Sequence, residues 1–320
     1  MMITLRQLTY LTALAEEAHF GRAAARVHVT QPALSMQIRE LEGALGLVLV
    51  DRLPRGVRLT RAGHEVLARA GRILAEVREM EAAARRGALG GVVTLGVIPT
   101  LAPYLVPPAL AALRGTADLP QDLRLREAET ETLLRELSDG TLDAAVIATP
   151  PGPGMIELPL FEDRFLLAGT AARLAALAGQ AEALRPVSLD PDQLLLLDEG
   201  HCLADQALEV CALDRRRMGG GPGAGRARID LGASSLATLC GLVAAGMGLT
   251  FVPEAAARAE SAAAPQMALM RFAAPEPSRQ VRLVRRAAIG EEPWVPALAR
   301  LLAGAGAGLL GEAQRLVPRG

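Results

Sequence analysis

The sequence predicts an α/β protein with an N-terminal winged helix-turn-helix, a long linker helix and a two-lobed regulatory domain. Three observations carry this prediction. Closely spaced amphipathic helices and two short strands occupy the first 60 residues. Residues 60–86 have the apolar spacing of one uninterrupted helix of about 39 Å. After residue 91 strand and helix patterns alternate, which favours a mostly parallel sheet.

Composition limits the class of protein. The 320 residues are 51% hydrophobic, which is enough for two or three domains with buried cores. The formal net charge is −1, so any surface that binds nucleic acid must be local. There is no signal-peptide pattern and no uninterrupted apolar run of membrane-spanning length. Three cysteines do not suit a secreted disulfide scaffold. We therefore expect a cytoplasmic protein with no membrane partner, in which a disulfide is transient.

Residues 20–45 predict two helices joined by a tight turn. Thr30 suits the N-cap of the second helix, and Pro32 suits its first turn. One face of that helix is apolar, whereas the other exposes small or polar side chains able to reach base edges and phosphates of double-stranded DNA. The residues expected to contact DNA are Thr30, Gln31, Pro32, Ser35, Gln37 and Arg39.

The next segment, "LVLVDRLPRGVRLT", predicts two short strands around a turn at residues 54–56. Such a β-wing directs Arg52, Arg55 and Arg58 toward the phosphate backbone. A plain helical bundle with a solvated polar face is the alternative that pattern alone leaves open.

The long helix carries apolar residues at a spacing close to 3.5, which is typical of a coiled-coil seam between two chains. Glycines at 87, 90 and 91 end it. The seam consists of Val66, Leu67, Ala70, Ile73, Leu74, Val77, Met80 and Ala84.

The remainder predicts two α/β sets. The first has strands at "VVTLGVIP", "LRLREAE" and "LDAAVIA", and "PPGPG" at 150–154 marks a break. The second has strands at "RFLLAGT", "QLLLLD", "ARIDLG" and "GLTFVP", with helices at 201–213 and at "LATLCGLVAAG". The final strand "VRLVRR" and helix "PWVPALARLLAG" return to the first set, so we expect two lobes with a cleft between them.

Two of the three cysteines share one predicted helix, in "DEGHCLADQALEVC" at 198–211. Nine helical steps separate Cys202 from Cys211 by roughly 13 Å, whereas a disulfide requires Cα atoms about 4.4–6.8 Å apart. Either the two thiols are unrelated, or bonding them destroys the helix. Cys202 lies in a first helical turn, which favours a thiolate, although a free cysteine is more often a small buried hydrophobe. Cys240 lies among apolar residues and is predicted to be core. The spacing of Cys and His residues favours no metal site, and we expect no cofactor.

The segments "FGRAAARVHVTQPALSMQIRELEGALGLVLVDR" and "LTRAG" resemble the winged helix-turn-helix of LysR-type transcriptional regulators. The remainder resembles their effector domain, which is like a periplasmic binding protein. "GHCLADQALEVC", "IPTLAPYLVP", "REAETETLLREL" and "LVAAGMGLTFVP" resemble the peroxide-sensing branch of that family. The domains we expect are 1–60 for DNA binding, 61–87 for the linker and dimerisation helix, and 91–320 for regulation. Lobe I covers about 91–161 and 269–320, and lobe II about 162–268.

The resemblance implies a transcriptional activator of oxidative-stress genes. Cys202 would be the residue that hydrogen peroxide oxidises, and Cys211 the residue that resolves it as a disulfide. The implied peroxide pocket consists of Thr100, Thr130, His201, Asp205 and, with Arg285 as a competitor, Arg286. The implied partners are double-stranded DNA, hydrogen peroxide, RNA polymerase, further copies of the chain as a homodimer or homotetramer, and a thiol reductant such as glutaredoxin or thioredoxin. The sequence departs from the pattern in its "GGGPGAG" insertion at 219–225 and in Cys240.

Two other functions fit parts of the sequence. A LysR-type regulator could bind a small organic ligand in the cleft and leave both cysteines incidental. A thiol peroxidase would also use Cys202, but it has no need of a DNA-binding module and a long dimer helix. We therefore do not expect an enzyme.

Overall fold

The computed structural model describes residues 3–53, 56–88, 92–113, 122–180, 184–197, 202–211, 235–287 and 292–318. The chain divides into two compact units. One consists of Met1–Leu89 and Ser138–Thr141, and the other of Gly90–Leu137 and Leu142–Gly320.

The N-terminal unit is a winged helix-turn-helix, as the sequence predicts. Its helices are α1 (Leu5–Glu17), α2 (Phe20–Arg26), α3 (Gln31–Leu45) and α4 (Arg61–Ala88). The wing is an antiparallel pair of strands, β1 (Val50–Leu53) and β2 (Gly56–Leu59). Thr30 is the N-cap residue of α3, but its side chain makes no capping hydrogen bond. The helix ends at Gly46, whose φ of 66° suits a residue without Cβ.

One apolar core joins all four helices of this unit. Most of its fully buried members come from α1 and α3, α2 contributes Ala23, and the core extends to Ala70 and Leu74 of α4. The predicted seam of α4 is therefore only partly free. Leu74 is buried within its own unit, whereas Ile73 and Met80 are 47% and 65% exposed.

The first half of the regulatory unit is a parallel sheet with helices between its strands. It contains β3 (Val92–Val97), β4 (Asp122–Glu127) and β5 (Ala144–Ile147), and β3 pairs in parallel with the other two. Helices α5 (Ala102–Leu113) and α6 (Thr130–Ser138) connect the strands. This arrangement confirms the predicted βαβαβ order.

Two long antiparallel strands, β6 (Met155–Thr170) and β9 (Ser278–Arg286), link the halves of the regulatory unit. β9 pairs with β5, and the later part of β6 pairs with β7 (Thr250–Pro253) and β8 (Met267–Arg271). Two separate apolar cores lie on either side of this linkage, one around Val97 and Val146, the other around Phe165 and Phe251. A two-lobed architecture follows from these two cores.

The remaining helices of the regulatory unit cover its sheets. They are α7 (Ala171–Gln180), α8 (Cys202–Val210), α9 (Leu236–Ala244), α10 (Glu254–Ala263) and α11 (Trp294–Leu316), with short 3₁₀ turns at Pro186–Ser188 and Pro191–Gln193. Among the described residues, α11 is the only helix long and apolar enough to cross a membrane by length and composition alone. Its first turns pack in the core of the first lobe through Trp294, Val295, Leu298 and Leu302, as expected of a core helix.

The structure corrects three details of the predicted topology. The strand expected at "RFLLAGT" begins earlier, at Met155, because the first part of β6 pairs with β9. The described residues of "QLLLLD" form only isolated bridges, such as that of Leu194 with Leu249. Helices α7 and α10 and strand β8 were not predicted. The strand expected at "ARIDLG" and the insertion at 219–225 lie outside the described residues.

Candidate functional site

Two threonines and a backbone carbonyl lie where parallel strands of the first lobe end. Thr100 follows β3, Thr130 opens α6 after β4, and Ala148 follows β5. These strands are neighbours, so their carboxyl ends share one edge of the sheet. Open α/β sheets bind ligands at such an edge.

Helix α8 is attached to this edge by a hydrogen bond. Gln206 Nε2 donates to the carbonyl of Ala148 over 2.8 Å. One turn earlier, the half-buried Cys202 packs against the core of the first lobe. Leu203 and Ala207 instead belong to the core of the second lobe. The helix therefore lies between both cores, with Cys202 on the side of the sheet edge.

Thr100 is held by an arginine that sequence reasoning missed. Arg279 Nη1 donates to Thr100 Oγ1 over 2.9 Å, and Nη2 donates to its carbonyl over 3.4 Å. The guanidinium also pairs with Asp163, through Nε at 3.0 Å and Nη2 at 2.9 Å, and both side chains are 0% exposed. Burial raises the pKa of Asp163, while Arg279 and the amide of Ala255 oppose that shift by favouring the carboxylate.

Arg286, the arginine expected in the pocket, lies elsewhere. It is seven residues farther along β9, opposite Met155, and donates to the carbonyl of Leu137. Arg285 lies beside it and contacts the Arg286 carbonyl. The structure thus brings Arg279, and not Arg286, to Thr100. The repeated arginines of "SRQVRLVRR" obscure this choice in the sequence, because only the strand register decides which of them reaches the site.

The other predicted pocket residues differ in their surroundings. The hydroxyl of Thr130 is buried, and it has no hydrogen-bond partner in the part of the chain that the structure describes. Asp205 is exposed in the first turn of α8. His201 lies outside the described residues, so its place in the pocket stays a prediction.

Cys211 lies at the opposite end of α8 from Cys202. Its amide donates to the carbonyl of Ala207, so the helical path extends to it. It is 4% exposed, and this burial raises the pKa of its thiol from 9.0 to about 11. Nine helical steps still separate the two sulfurs by roughly 13 Å along the axis. Both are free thiols.

Cys240 belongs to the core, as the sequence predicts, but it has a polar neighbour. It is fully buried on α9, and burial and then the Glu260 carboxylate raise the pKa of its thiol. Glu260 is itself buried and accepts a hydrogen bond from the Tyr104 hydroxyl. Burial, followed by this hydrogen bond, raises the pKa of Tyr104.

The predicted DNA surface stays a prediction, but the structure shows that Ser35 is buried and not exposed as expected. That residue is 7% exposed and accepts hydrogen bonds from Arg39 at 3.2 Å and Arg52 at 3.1 Å. Arg52 also stacks 4.7 Å from the centre of the Phe20 ring. Ser35 and Arg52 therefore connect the wing to α3.

The other predicted DNA contacts differ in exposure. Gln37 is half-buried and donates to Glu40, and Arg58 pairs with Asp51 at 3.3 Å. Arg55 lies outside the described residues. Of the predicted contacts on α3 and its cap, Thr30, Gln31, Pro32 and Arg39 are exposed.

Each of the two units matches a known family of protein domains. A model of bacterial regulatory helix-turn-helix proteins of the lysR family matches residues 5–64, and a model of the LysR substrate binding domain matches residues 86–307. A probable hydrogen peroxide-inducible genes activator of Streptomyces viridosporus is 40% identical over 287 residues, 88% of each chain. The chain belongs to the OxyR group of the LysR family.

Other members of the OxyR group are similar over nearly the whole length. The dual regulator OxyR of Escherichia coli strain K12 is 37% identical over 288 residues, 89% of this chain and 90% of that one. A cysteine-to-serine variant of Corynebacterium glutamicum OxyR, solved with hydrogen peroxide bound, is 32% identical with a TM-score of 0.56, and the match covers 98% of each chain. Full-length OxyR of Pseudomonas aeruginosa, a cysteine-to-aspartate variant, is 31% identical with a TM-score of 0.52, covering 95% and 100%.

Proposed function

We propose that this LysR-family chain is a DNA-binding transcriptional activator that senses hydrogen peroxide by oxidation of Cys202. The observation that supports it most is the position of Cys202. The thiol begins α8 beside the sheet edge where Arg279 holds Thr100, and nine helical steps separate it from Cys211. The names of its relatives, which are hydrogen peroxide-inducible activators, agree with this role.

The first step forms a sulfenic acid. The Cys202 thiolate attacks one peroxide oxygen, so that an S–O bond forms while the O–O bond breaks. The leaving hydroxide takes up a proton and departs as water. Cys202 is oxidised, and the peroxide is reduced. Thr100 and Arg279 offer hydrogen-bond donors for the peroxide oxygens, and Thr130, His201 and Asp205 remain proposed members of the pocket.

The second step joins Cys202 to Cys211. The Cys211 sulfur attacks the sulfenic sulfur, an S–S bond forms, and water leaves. Because a straight helix keeps the sulfurs too far apart, α8 must unwind for this step. Unwinding withdraws Leu203 and Ala207 from the second core. The chemistry of a small molecule thereby becomes a change in packing.

The proposed output is a change in DNA binding and in the assembly of subunits. We assign DNA binding to residues 1–60, dimerisation to 61–87 and regulation to 91–320. Within the regulatory part, about 91–161 and 269–320 form lobe I and about 162–268 form lobe II. The active form would be a homodimer or homotetramer that recruits RNA polymerase and is reset by glutaredoxin or thioredoxin. Such a protein works where the DNA is, so we place it in the cytoplasm.

Mass spectrometry of the thiols before and after one equivalent of peroxide, run beside a DNA footprint, tests the proposal. We expect a Cys202–Cys211 disulfide and a footprint that changes with oxidation and reverts with reductant. A footprint indifferent to peroxide and reductant would point instead to a LysR-type regulator of a small organic ligand. Many turnovers of peroxide with thioredoxin, without any change in DNA binding, would point to a thiol peroxidase.

A further inference from the structure

Asp163 and Arg279 form an ion pair that joins the two long strands linking the lobes. The two residues are direct partners in the antiparallel register of β6 and β9. Both side chains are 0% exposed, with Nη2 and Oδ2 2.9 Å apart. Replacing a buried ion pair by apolar residues of similar volume is often neutral or stabilising, so stability alone does not account for Asp163.

One oxygen of Asp163 binds Arg279, and the other is fixed by the backbone. One carboxylate oxygen, Oδ2, accepts from both Nε and Nη2 of the guanidinium. The other, Oδ1, accepts from the amide of Ala255 at the start of α10 over 3.0 Å. The carboxylate is thus held from one side by the backbone and holds the planar guanidinium on the other. This leaves Nη1 directed at Thr100 Oγ1, 2.9 Å away.

The direction of these hydrogen bonds determines whether the Thr100 hydroxyl acts as a donor or an acceptor. A guanidinium has N–H donors and no acceptor. Thr100 Oγ1 must therefore accept from Arg279, so its own proton can be donated to another group. Arg279 also has a second Nη1–H beyond the one used for Thr100. The Thr100 hydroxyl proton and the second Nη1–H are therefore the donors that this arrangement can offer to a ligand at the sheet edge.

We propose that Asp163 is a positioning residue for the oxidation of Cys202: it orients Arg279, and Arg279 sets the Thr100 hydroxyl as a donor to the peroxide. The proposal rests on the proposed function. Asp163 does not touch the peroxide itself. It acts through the guanidinium, so its loss leaves the thiol in place and removes the alignment of the donors. Misplacement of a reacting group by about 1 Å can cost on the order of a hundredfold in rate.

The test compares two reactions of the same thiol in the full-length protein. Sulfenic acid formation is measured in a Cys211→Ser background by trapping with dimedone and mass spectrometry. Alkylation of Cys202 by iodoacetamide is measured in parallel, because it depends on the thiolate and its access but not on donors aligned for peroxide. Asp163→Asn changes one acceptor oxygen into a donor amide, so the guanidinium and the Ala255 amide cannot both be satisfied.

We expect Asp163→Asn to lower the rate with peroxide by about tenfold to a hundredfold and to change the alkylation rate less than about threefold. Glu254→Gln is the matched control. Glu254 is also buried in an ion pair, at 2.6 Å from Arg271, and is not bonded to Arg279 or Thr100. It should leave both rates near those of the parent. An unchanged peroxide rate in Asp163→Asn, or an equal fall of both rates, would overturn the proposal.

Asp163→Glu keeps the proposal testable if the Asn variant does not fold. The glutamate retains the acceptor charge, so its peroxide rate should lie within about tenfold of the parent. A Glu variant that folds but reacts with peroxide more slowly than this, while its alkylation rate is normal, would contradict the role of the carboxylate. Failure of the proposed function gives a different result: the parent itself would then form no sulfenic acid at Cys202.

Discussion

At the scale of single residues, Cys202 and Cys211 have different surroundings at the two ends of one helix. Cys202 is half-buried at the start of α8 and packs against the core of the first lobe. Cys211 is buried in the core of the second lobe. A reactive cysteine requires access and a site that favours the thiolate, whereas a buried cysteine is inert until its surroundings open. The roles proposed for the two thiols agree with this difference.

Replacing each cysteine in turn separates these roles. Cys202→Ser should abolish the peroxide response, because serine is a far poorer nucleophile and forms no disulfide. Cys211→Ser should leave a sulfenic or over-oxidised Cys202 and a partial or short-lived response. Cys240→Ser is the control. A serine hydroxyl can donate to the neighbouring Glu260, so this variant should respond to peroxide almost normally. Peptide mapping after a peroxide pulse shows which cysteines are joined. A Cys202–Cys240 disulfide would refute the mechanism.

The pKa of Cys211 predicts a pH dependence for its reactivity. The folded value of about 11 lies above the ordinary value of 9.0. The buried thiol therefore stabilises the folded state fully below pH 9, and that contribution is lost as the pH rises through 11. In the reduced protein, iodoacetamide labelling of Cys211 should keep rising up to about pH 11. In urea the labelling should level off near pH 9. Equal profiles in both conditions would show that Cys211 is not buried.

At the scale of elements, α4 has one buried apolar face and one exposed apolar face. One face completes the core of the N-terminal unit through Ala70 and Leu74, while Ile73 and Met80 stay exposed. Exposed apolar side chains on one long helix are typical of an interface between chains. Leu74, although part of the predicted seam, is therefore unsuitable for testing dimerisation, because its replacement would damage the core of its own unit.

Met80→Glu tests the interface without touching that core. An unpaired charge in an apolar contact is costly, so the variant should sediment as a smaller species and bind DNA weakly. Ala68→Glu, at an exposed position outside the predicted seam, is the matched control and should keep the parental assembly. A Met80→Glu protein that retains both its oligomer and its DNA affinity would exclude α4 as the dimer element.

Taken as a whole molecule, the regulatory part depends on segments far apart in sequence. β9 and α11 come last in the chain, yet β9 joins β5 to β6 and α11 packs in the core of the first lobe. Gly306 of α11 faces Phe161 of β6 so closely that a Cβ would collide with the ring. A side chain at this position would therefore overpack the first lobe.

Gly306→Ala tests this long-range contact. Overpacking a well-packed core typically costs about 1–3 kcal/mol, so the regulatory part should unfold at lower urea concentration. Gly304 lies in the same helix, and a Cβ there meets nothing within 4 Å. Gly304→Ala should be neutral or stabilising, since alanine is favoured over glycine in a helix by about 1 kcal/mol. Equal midpoints for the two variants would show that α11 does not pack here.

The sequence by itself determined the order of elements, the winged helix-turn-helix and the paired cysteines of α8, because periodicity, caps and motif spacing are local properties. It could not decide which arginine reaches Thr100, since seven residues separate Arg279 from Arg286 along one strand and only the register of β9 against β6 selects between them. It also placed Ser35 on the surface, although Arg39 and Arg52 enclose it. Asp163 had no local signal, because its role depends on a partner 116 residues away. Register and burial are set by the pairing of distant segments, and the tertiary structure alone supplies them.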